Sequence, residues 1–393
     1  MPGHIEKIDV FEFRRERDDA YLGALAPQDT VLNEHHVIKG FNGTVYPTAD
    51  RSVVIRVTDT QGNVGWGETY GLVAPGIVAL LVDELFAPFV TTLTDLRPDS
   101  MWDALYELQR VRGYWGGYLA DTLAGLDIAL WDLHSRAQGA SLQAVLGRAG
   151  AGEVGAYVSG LTGTTTEARV DQAQEWKAKG FGDLKIPVSA TTNGDVRGEF
   201  AALRDALGEA HRIALDLHWT LSVDETLAME QELLPFNPWF FEAPTKPEDI
   251  ESQRAIGSGL QTPLALGEEW RTEWDYKARK GICDIVQPEM GHAGVTQFMR
   301  IAKLAQDAEA RVMPHATIGM GIFMAASLRA SLAASIETHE FQHTIHDRNG
   351  SLLDGAATCE AGRFIVPDTP GHGVSPNADA FRYLTKINAK ATQ

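Results

Sequence analysis

Three apolar runs indicate the architecture of this chain: RIALDLHW at 212–219, PWFFEAP at 238–244 and PLALGEE at 263–269. An acidic residue follows the apolar core of each run, and Asp216, Glu242 and Glu268 are spaced 26 residues apart. Short β-rich runs at this interval leave room for one helix between each strand and the next. The spacing therefore predicts parallel strands joined by helices.

The same alternation runs through the segment that begins near residue 153. Amphipathic helical stretches such as 166–180 and 294–310 separate further β-rich runs. Seven or eight such units predict a closed parallel barrel rather than an open sheet. The other predicted strands are VGAYVSG at 154–160, FGDLKIPV at 181–188, CDIVQPE at 283–289 and RVMPHAT at 311–317.

The residues before the barrel show a different pattern of secondary structure. The runs at 5–13 and 52–69 alternate like strands, and Gln-Gly-Asn at 61–63 predicts a hairpin. Helical periodicity follows from about residue 75 to 147. We therefore predict an α+β capping domain over 1–130 and the barrel over 131–360. Residues from about 361 to 393 should return to the cap and finish in a short helix at 378–389.

Composition excludes several classes of partner. The 393 residues are 44% hydrophobic and 22% charged, as in a globular protein, and the net charge of −19 disfavours binding to nucleic acid or to an anionic membrane. Two cysteines make no disulfide framework, and the charged N-terminus does not resemble a signal peptide. No apolar run is long enough to span a bilayer. A cytoplasmic protein is expected.

Polar residues end the predicted strands, and in a barrel these ends meet on one face. One such residue alone is usually a helix cap, an ion-pair partner or a structural histidine. Three carboxylates on neighbouring strands instead require a cation, and all-oxygen ligands favour Mg²⁺. The residues concerned are Lys185, Asp216, Glu242, Glu268, Glu289 and His315.

These motifs resemble the mandelate racemase/muconate lactonizing enzyme family of the enolase superfamily over nearly the whole chain. The resemblance implies a (β/α)7β TIM-like barrel with an N-terminal capping domain. It also implies that the three carboxylates bind Mg²⁺ and that His315 is a catalytic base paired with Glu289, where the family usually has Asp. The motifs are AGLDIALWDLHSRAQGASLQAVLG at 124–147, VGWGET at 64–69, DLHW at 216–219, FFEAP at 240–244, LGEE at 266–269, QPEMGHAGVT at 287–296 and MPHATIG at 313–319.

The second strand departs from the family pattern. Family members commonly show Lys-x-Lys there, whereas this chain has Lys185-Ile186-Pro187. Proline cannot abstract a proton, so a racemase with two opposed bases is disfavoured. Lys185 can still bind the substrate carboxylate and stabilise developing negative charge.

His218 follows Asp216 by two residues and should share its side of the strand. This Asp-x-His pair resembles acid-sugar dehydratases of the galactonate and mannonate type. The resemblance thus implies a lyase that converts an aldonate or aldarate into a 2-keto-3-deoxy acid. A sugar-lactone cycloisomerase or an epimerase on the same scaffold is the alternative, and a catalytically silent binding protein is a third.

Further substrate contacts are less defined. Glu340 and His343 fall where the family's eighth strand presents a substrate-binding acid, and the sequence does not say which of them faces inward. Tyr21 is a candidate in the cap loops. Related barrels are often dimers or octamers, so a homo-oligomer is expected.

Overall fold

The computed structural model describes residues 3–18, 25–93, 96–187, 194–316 and 319–388. Within these segments the chain forms a four-stranded antiparallel sheet, two smaller sheets and a ten-stranded sheet that contains the barrel. None of the helices in these segments combines the length and apolar character that a bilayer-spanning helix needs.

The capping domain is built on the four-stranded sheet and on a small three-stranded sheet. Its strands and helices are β1 (Ile5–Glu16), β2 (Thr30–Asn33), β3 (His36–Ile38), β4 (Val45–Pro47), β5 (Ala49–Asp59), β6 (Val64–Thr69), α1 (Pro75–Leu81), α2 (Ala87–Val90), α3 (Pro98–Arg110), α4 (Gly117–Ala137) and α5 (Leu142–Val145). A π-helical turn, Val82–Phe86, joins α1 to α2. Strands β5 and β6 pair around residues 61–63, which confirms the predicted hairpin.

The two glycines of VGWGET allow β6 to lie directly on α4. A Cβ on Gly67 would lie 2.0 Å from the carbonyl oxygen of Gly125, and one on Gly65 would lie 2.2 Å from that of Ala129. No side chain fits in that space, so the close packing of β6 on α4 requires glycine at both positions. Helix α4 also packs against the barrel, which explains why it is buried on most sides.

Eight parallel strands form the barrel, as predicted. They are β7 (Gly152–Ser159), β8 (Leu184–Pro187), β9 (Ile213–Asp216), β10 (Phe241–Glu242), β11 (Leu264–Leu266), β12 (Ile285–Val286), β13 (Arg311–Val312) and β14 (Thr338–Phe341). From β7 to β13 neighbours pair in sequence order, and β14 pairs with β7. A hydrogen bond of 3.2 Å from the Glu340 N–H to the Pro314 carbonyl links the seventh and eighth strands.

Helices connect these strands in a (β/α)7β arrangement. They are α6 (Thr166–Ala178), α7 (Val196–Leu207), α8 (Val223–Leu233), α9 (Ile250–Gly259), α10 (Glu273–Arg279), α11 (Met290–Gln306) and α12 (Ile322–Ala333), with α13 (His343–Asn349) after the last strand. Local sequence determines where several of these helices begin. At the N-terminus of α8, for example, Ser222 and Glu225 form a reciprocal capping box.

The C-terminal segment contacts the barrel before it reaches the cap. Strands β16 (Thr358–Glu360) and β17 (Arg363–Val366) form a hairpin that pairs with β7 of the barrel, so the expected boundary near 361 falls inside it. The boundary expected at 130 likewise falls inside α4. Strands β15 (Leu353–Asp354) and β18 (Ser375–Pro376) pair with each other.

The predicted C-terminal helix at 378–389 is wrong. Its described residues form only a 3₁₀ turn, Ala380–Arg382, followed by strand β19 (Leu384–Lys386). Strand β19 pairs antiparallel with β1, and the Asn388 side chain accepts from the Val10 N–H. An unpaired edge of the cap sheet was available to this segment, and pairing with it outweighed the local helical pattern.

Candidate active site

A cavity lies where the barrel strands end beneath the capping domain. Six of the predicted site residues line it: Lys185, Asp216, His218, Glu268, His315 and Glu340. Two more predicted residues, Glu242 and Glu289, lie beside it and contact its lining side chains. The strand-end pattern therefore brings eight predicted residues into one neighbourhood.

Glu242 and Glu268 form the buried acidic part of the site. Glu242 is fully buried, with Oε1 2.5 Å from Lys185 Nζ and Oε2 accepting from Gln287 Nε2 at 2.6 Å. Oε2 of Glu268 is buried without a hydrogen-bond partner among the described residues. Burial raises the pKa of Glu268 well above its usual range. A cation beside this oxygen would stabilise the carboxylate and offset the effect of burial.

Among the described residues, one group of three side chains could hold a metal ion: Glu242, Glu268 and His315, each with a ligand atom within 4.8 Å of the others. Asp216 is outside this group. It lines the same cavity, but its Oδ2 lies 3.3 Å from Nε2 of His218. The sequence thus predicted that Asp216 shares a cavity with the other strand-end residues, without giving the direction of its carboxylate.

The turn after β9 explains how Asp216 and His218 meet. His218 and Trp219 have φ angles of 46° and 56°, in the left-handed region that most residues avoid. The His218 N–H donates to Asp216 Oδ1 at 3.0 Å, and the Trp219 N–H donates to the Ala243 carbonyl at 2.6 Å. A backbone in this region is strained and persists only where other contacts hold it. Here the two hydrogen bonds hold the turn so that the His218 imidazole lies in the cavity.

His315 and Glu289 form a hydrogen-bonded pair. The Nδ1–H of His315 donates to Glu289 Oε2 at 2.9 Å, which leaves Nε2 on the side of Glu268 at 3.4 Å. Burial lowers the pKa of His315, but Glu268, Glu340 and Glu289 together raise it well above its ordinary value. Glu289 is one methylene longer than the aspartate usual at this position, and it still makes this hydrogen bond to His315.

Lys185 is held between two carboxylates. Its Nζ lies 2.5 Å from Glu242 and 2.9 Å from Glu340, and it is buried. Burial lowers the pKa of Lys185, but the two carboxylates raise it well above the usual range, so it is a cation and a donor. For Glu340, burial is outweighed by Lys185 and His315, which lower the pKa to about 2.

One predicted contact, His343, is not brought to the cavity. His343 lies at the start of α13, where Nε2 is 3.1 Å from the Gly160 carbonyl and the ring packs edge-on against Trp176. Glu340 and Gln342 line the cavity instead, because alternate side chains of a strand share one face. This corrects the placement of His343. Tyr21 lies outside the described residues.

Sequence reasoning missed several residues that also line the cavity, among them Tyr46 and Tyr70 from the cap and Glu269 and His292 from the barrel. Burial, together with nearby Asp216 and Glu268, raises the pKa of Tyr46 to about 12. Tyr70 directly follows VGWGET, Glu269 is the second acid of LGEE, and His292 lies inside QPEMGHAGVT. The motifs contained these residues, but only the fold shows that they face the cavity.

Two family models match the chain. Residues 168–380 match the model described as enolase C-terminal domain-like. Residues 40–147 match the model of the mandelate racemase/muconate lactonizing enzyme N-terminal domain. Together they cover both the capping domain and the barrel.

Curated relatives and solved structures agree with this match. The D-galactarolactone cycloisomerase of Agrobacterium fabrum is 29% identical over 368 residues, which cover 89% of this chain and 96% of the relative. The D-galactonate dehydratase of Xanthomonas oryzae pv. oryzae is 28% identical over 357 residues, with 86% and 92% covered. A crystal structure of an enolase superfamily member from Agrobacterium tumefaciens is 44% identical, with a TM-score of 0.95 over 98% of this chain and 100% of that one.

Proposed function

The chain belongs to the mandelate racemase/muconate lactonizing enzyme family of the enolase superfamily, and from this we propose that it is a Mg²⁺-dependent acid-sugar dehydratase. The observation that carries the proposal is the presence of two histidines in one cavity, each beside a carboxylate: His315 beside Glu289, and His218 beside Asp216. Dehydration needs both a base for the α-proton and an acid for the departing hydroxyl.

Asp216, Glu242 and Glu268 would hold the magnesium ion. Their donors are all carboxylate oxygens, which suit a hard cation, and Oε2 of Glu268, which is buried and accepts no hydrogen bond from the described part of the chain, supports a cation at this point. When bound, the ion would stabilise negative charge that develops on the substrate carboxylate. Lys185, already a buried cation, adds a hydrogen-bond donor for the same charge.

The proton transfers fall to the histidines. In the neutral ring of His315, the Nδ1–H bond to Glu289 leaves Nε2 as the accepting nitrogen, and in this form Nε2 takes the proton from the carbon alpha to the carboxylate. The released electron pair forms a carbon–carbon double bond as the β-carbon–oxygen bond breaks. His218 gives a proton to the leaving hydroxyl, so water departs. The resulting enol tautomerises to a 2-keto-3-deoxy acid.

A screen of acid sugars tests this proposal. The protein is incubated with Mg²⁺ and a panel of aldonates and aldarates, and 2-keto-3-deoxy acid is measured. Parallel reactions in D₂O follow the α-proton by NMR. Keto acid that forms at a rate dependent on Mg²⁺ supports dehydration, whereas α-exchange with no keto acid across the panel would contradict it.

A cycloisomerase is the second candidate, because a relative covering most of the chain is a D-galactarolactone cycloisomerase. Elimination from a lactone releases a carboxylate, which needs no proton in order to leave. His218→Asn should therefore abolish dehydration of open acids but leave a lactone-opening activity largely intact. Pro187, on the strand that carries Lys185, supplies no opposed base, which disfavours epimerisation.

A further inference from the structure

The last two residues of strand β6, Glu68 and Thr69, both reach from the capping domain into the barrel. Both side chains are fully buried. Consecutive side chains of a strand point to opposite sides, so these two can hold two separate segments. Glu68 contacts the start of α12, and Thr69 contacts the first turn of α11. These helices follow β13 and β12, and His315 and Glu289 lie in the respective connections.

Glu68 supplies the acceptors that helix α12 lacks. The N–H groups in the first turn of a helix have no partner within the helix, and the N-cap residue of α12, Gly321, has no side chain to accept from them. Instead, Glu68 Oε2 accepts from the N–H groups of Ile322 at 2.8 Å and Phe323 at 3.3 Å, and from that of Gly321 at 3.1 Å. Oε1 accepts from the Met320 N–H. The position of α12 therefore depends on a residue of the cap.

A second contact ties the connection between β13 and α12 to the cap. The Gly319 carbonyl accepts from Asn349 Nδ2 at 2.8 Å. The same amide group donates to Oδ2 of Asp50, on β5, at 3.1 Å, and both of these side chains are buried. The connection that carries His315 is thus bound to the cap at two adjacent residues, Gly319 and Met320.

Thr69 holds the other connection. Its hydroxyl donates to the Gly291 carbonyl at 2.7 Å, and the Gly291 N–H donates to Glu289 Oε1 at 2.9 Å. A Cβ on Gly291 would lie 2.8 Å from the Tyr70 ring, so this turn fits closely beneath the cap. A single residue therefore separates Thr69 from the carboxylate that accepts from His315.

The barrel strands alone do not fix the pair that these connections carry. Strands β12 and β13 have two residues each, and Glu289 and His315 lie three residues beyond their ends. The relative position of the two side chains therefore depends also on what holds the connections. Adjacent residues of one cap strand hold both.

Resting on the proposed role of His315 and Glu289, we propose that Glu68 and Thr69 are positioning residues for this pair. They act through the backbone of the two connections and do not touch the substrate, since neither of them lines the cavity. Misplacement of reacting groups by about 1 Å can cost about 10²-fold in rate. The capping domain thus contributes to proton abstraction by aligning the base.

Thr69→Val tests this role with little change in shape. Valine keeps the branched side chain but removes the hydroxyl that donates to the Gly291 carbonyl. Exchange of the α-proton into D₂O, measured by NMR across the aldonate and aldarate panel, should slow about 10-fold, because Glu289 and His315 are misaligned. The dissociation constant of the same acids, measured by calorimetry with Mg²⁺, should change little, because Thr69 does not line the cavity.

Thr226→Val is the matched control. Thr226 is also fully buried, and its hydroxyl donates to the Ser222 carbonyl at 2.7 Å, the same distance as in the bond from Thr69. Neither Thr226 nor Ser222 lines the cavity, so exchange should keep its wild-type rate. Thermal unfolding checks that both variants are folded. Equal exchange rates in the two valine variants would contradict the proposal.

Glu68→Gln tests the other contact. Glutamine has one accepting oxygen, whereas both oxygens of Glu68 accept from backbone N–H groups, so the start of α12 should move. Glu230→Gln is its control: Glu230 is fully buried, and its Oε1 accepts from the N–H groups of Gln261 at 2.8 Å and Thr262 at 2.6 Å, at the opposite end of the barrel. Exchange should slow about 10- to 100-fold in the first variant and keep its rate in the second. A folded Glu68→Gln protein with the wild-type rate would contradict the role of Glu68.

Two further measurements separate positioning from a loss of stability. In a Glu289→Gln background the pair is already broken, so adding Thr69→Val should slow exchange no further, and an undiminished loss there would overturn the inference. A crystal structure of Thr69→Val should show a distance from His315 Nδ1 to Glu289 Oε2 longer than the 2.9 Å of wild type, and an unchanged distance would also overturn it. That measurement involves no reaction. A lengthened distance together with no α-exchange by wild type would therefore contradict only the proposed function.

Discussion

Glu289 holds His315 with one carboxylate oxygen and its own turn with the other: Oε2 accepts from His315 Nδ1 at 2.9 Å, and Oε1 accepts from the Gly291 N–H at 2.9 Å. A side chain one methylene longer than the usual aspartate therefore still reaches the imidazole, and its rotamer is fixed from behind. Orientation of this kind determines which ring nitrogen can take up a proton.

Replacing Glu289 with glutamine should lower kcat by about 10²- to 10⁴-fold. Glutamine has the same size, but only its Oε1 can accept a hydrogen bond, whereas both oxygens of Glu289 do so. The tautomer of His315 is then no longer fixed. Initial rates of keto-acid formation measure the effect, and thermal unfolding serves as the control for folding. A Glu289→Gln enzyme within twofold of wild type would contradict the proposed pair.

Glu268→Gln should have opposite effects on stability with and without metal. Without metal, the substitution removes a buried carboxyl group whose Oε2 accepts no hydrogen bond from the described residues, with His315 Nε2 3.4 Å away, so the free energy of unfolding should rise. With Mg²⁺, wild type should gain about 2.7 kcal/mol at 100 times Kd, and the variant should gain much less. Urea unfolding with chelator or with excess Mg²⁺ measures both values. An equal gain from Mg²⁺ in the two proteins would exclude Glu268 as a ligand.

Lys185→Met should destabilise the protein by about 3–5 kcal/mol, because it leaves Glu242 and Glu340 buried without their shared cation. The matched double variant, Lys185→Met with Glu340→Gln, removes one of the two unpaired buried carboxylates. It should therefore recover part of the lost free energy of unfolding. Urea unfolding of the three proteins with chelator present gives the comparison. A single variant as stable as wild type would mean that the pairs contribute nothing to the fold.

The barrel, and the face of it that carries the candidate site, could be predicted from the sequence. Strand spacing repeats along the chain, and parallel strands bring their C-terminal ends together whatever their helices contain. Asp216 and Glu268 could therefore be assigned to one cavity before any contact was known. The capping hairpin was equally local, since its turn lies between two adjacent alternating runs.

Contacts between distant segments were beyond prediction. His292 and Asp121 are 171 residues apart, and nothing local to either one indicates the other. The left-handed backbone of His218 depends on a hydrogen bond from the Trp219 N–H to the segment after the neighbouring strand. The direction of the Asp216 carboxylate therefore could not be predicted either. Strand β19 formed because an edge of the cap sheet was free, which a helical pattern does not reveal.

Acid should destabilise the fold through His339, a buried residue next to the site. Its Nδ1–H donates to the Glu340 carbonyl at 2.9 Å and its Nε2 accepts from Ser327 Oγ at 2.7 Å, while burial lowers its pKa to about 4. The unfolded chain, with a histidine pKa of about 6.5, binds the proton first, so this stability is complete above about pH 6.5 and is lost as pH falls towards 4. Between pH 7.5 and 5.0 wild type should lose about 2 kcal/mol more than His339→Gln in urea unfolding with chelator present. Parallel losses in the two proteins would show that His339 titrates alike in the folded and unfolded states.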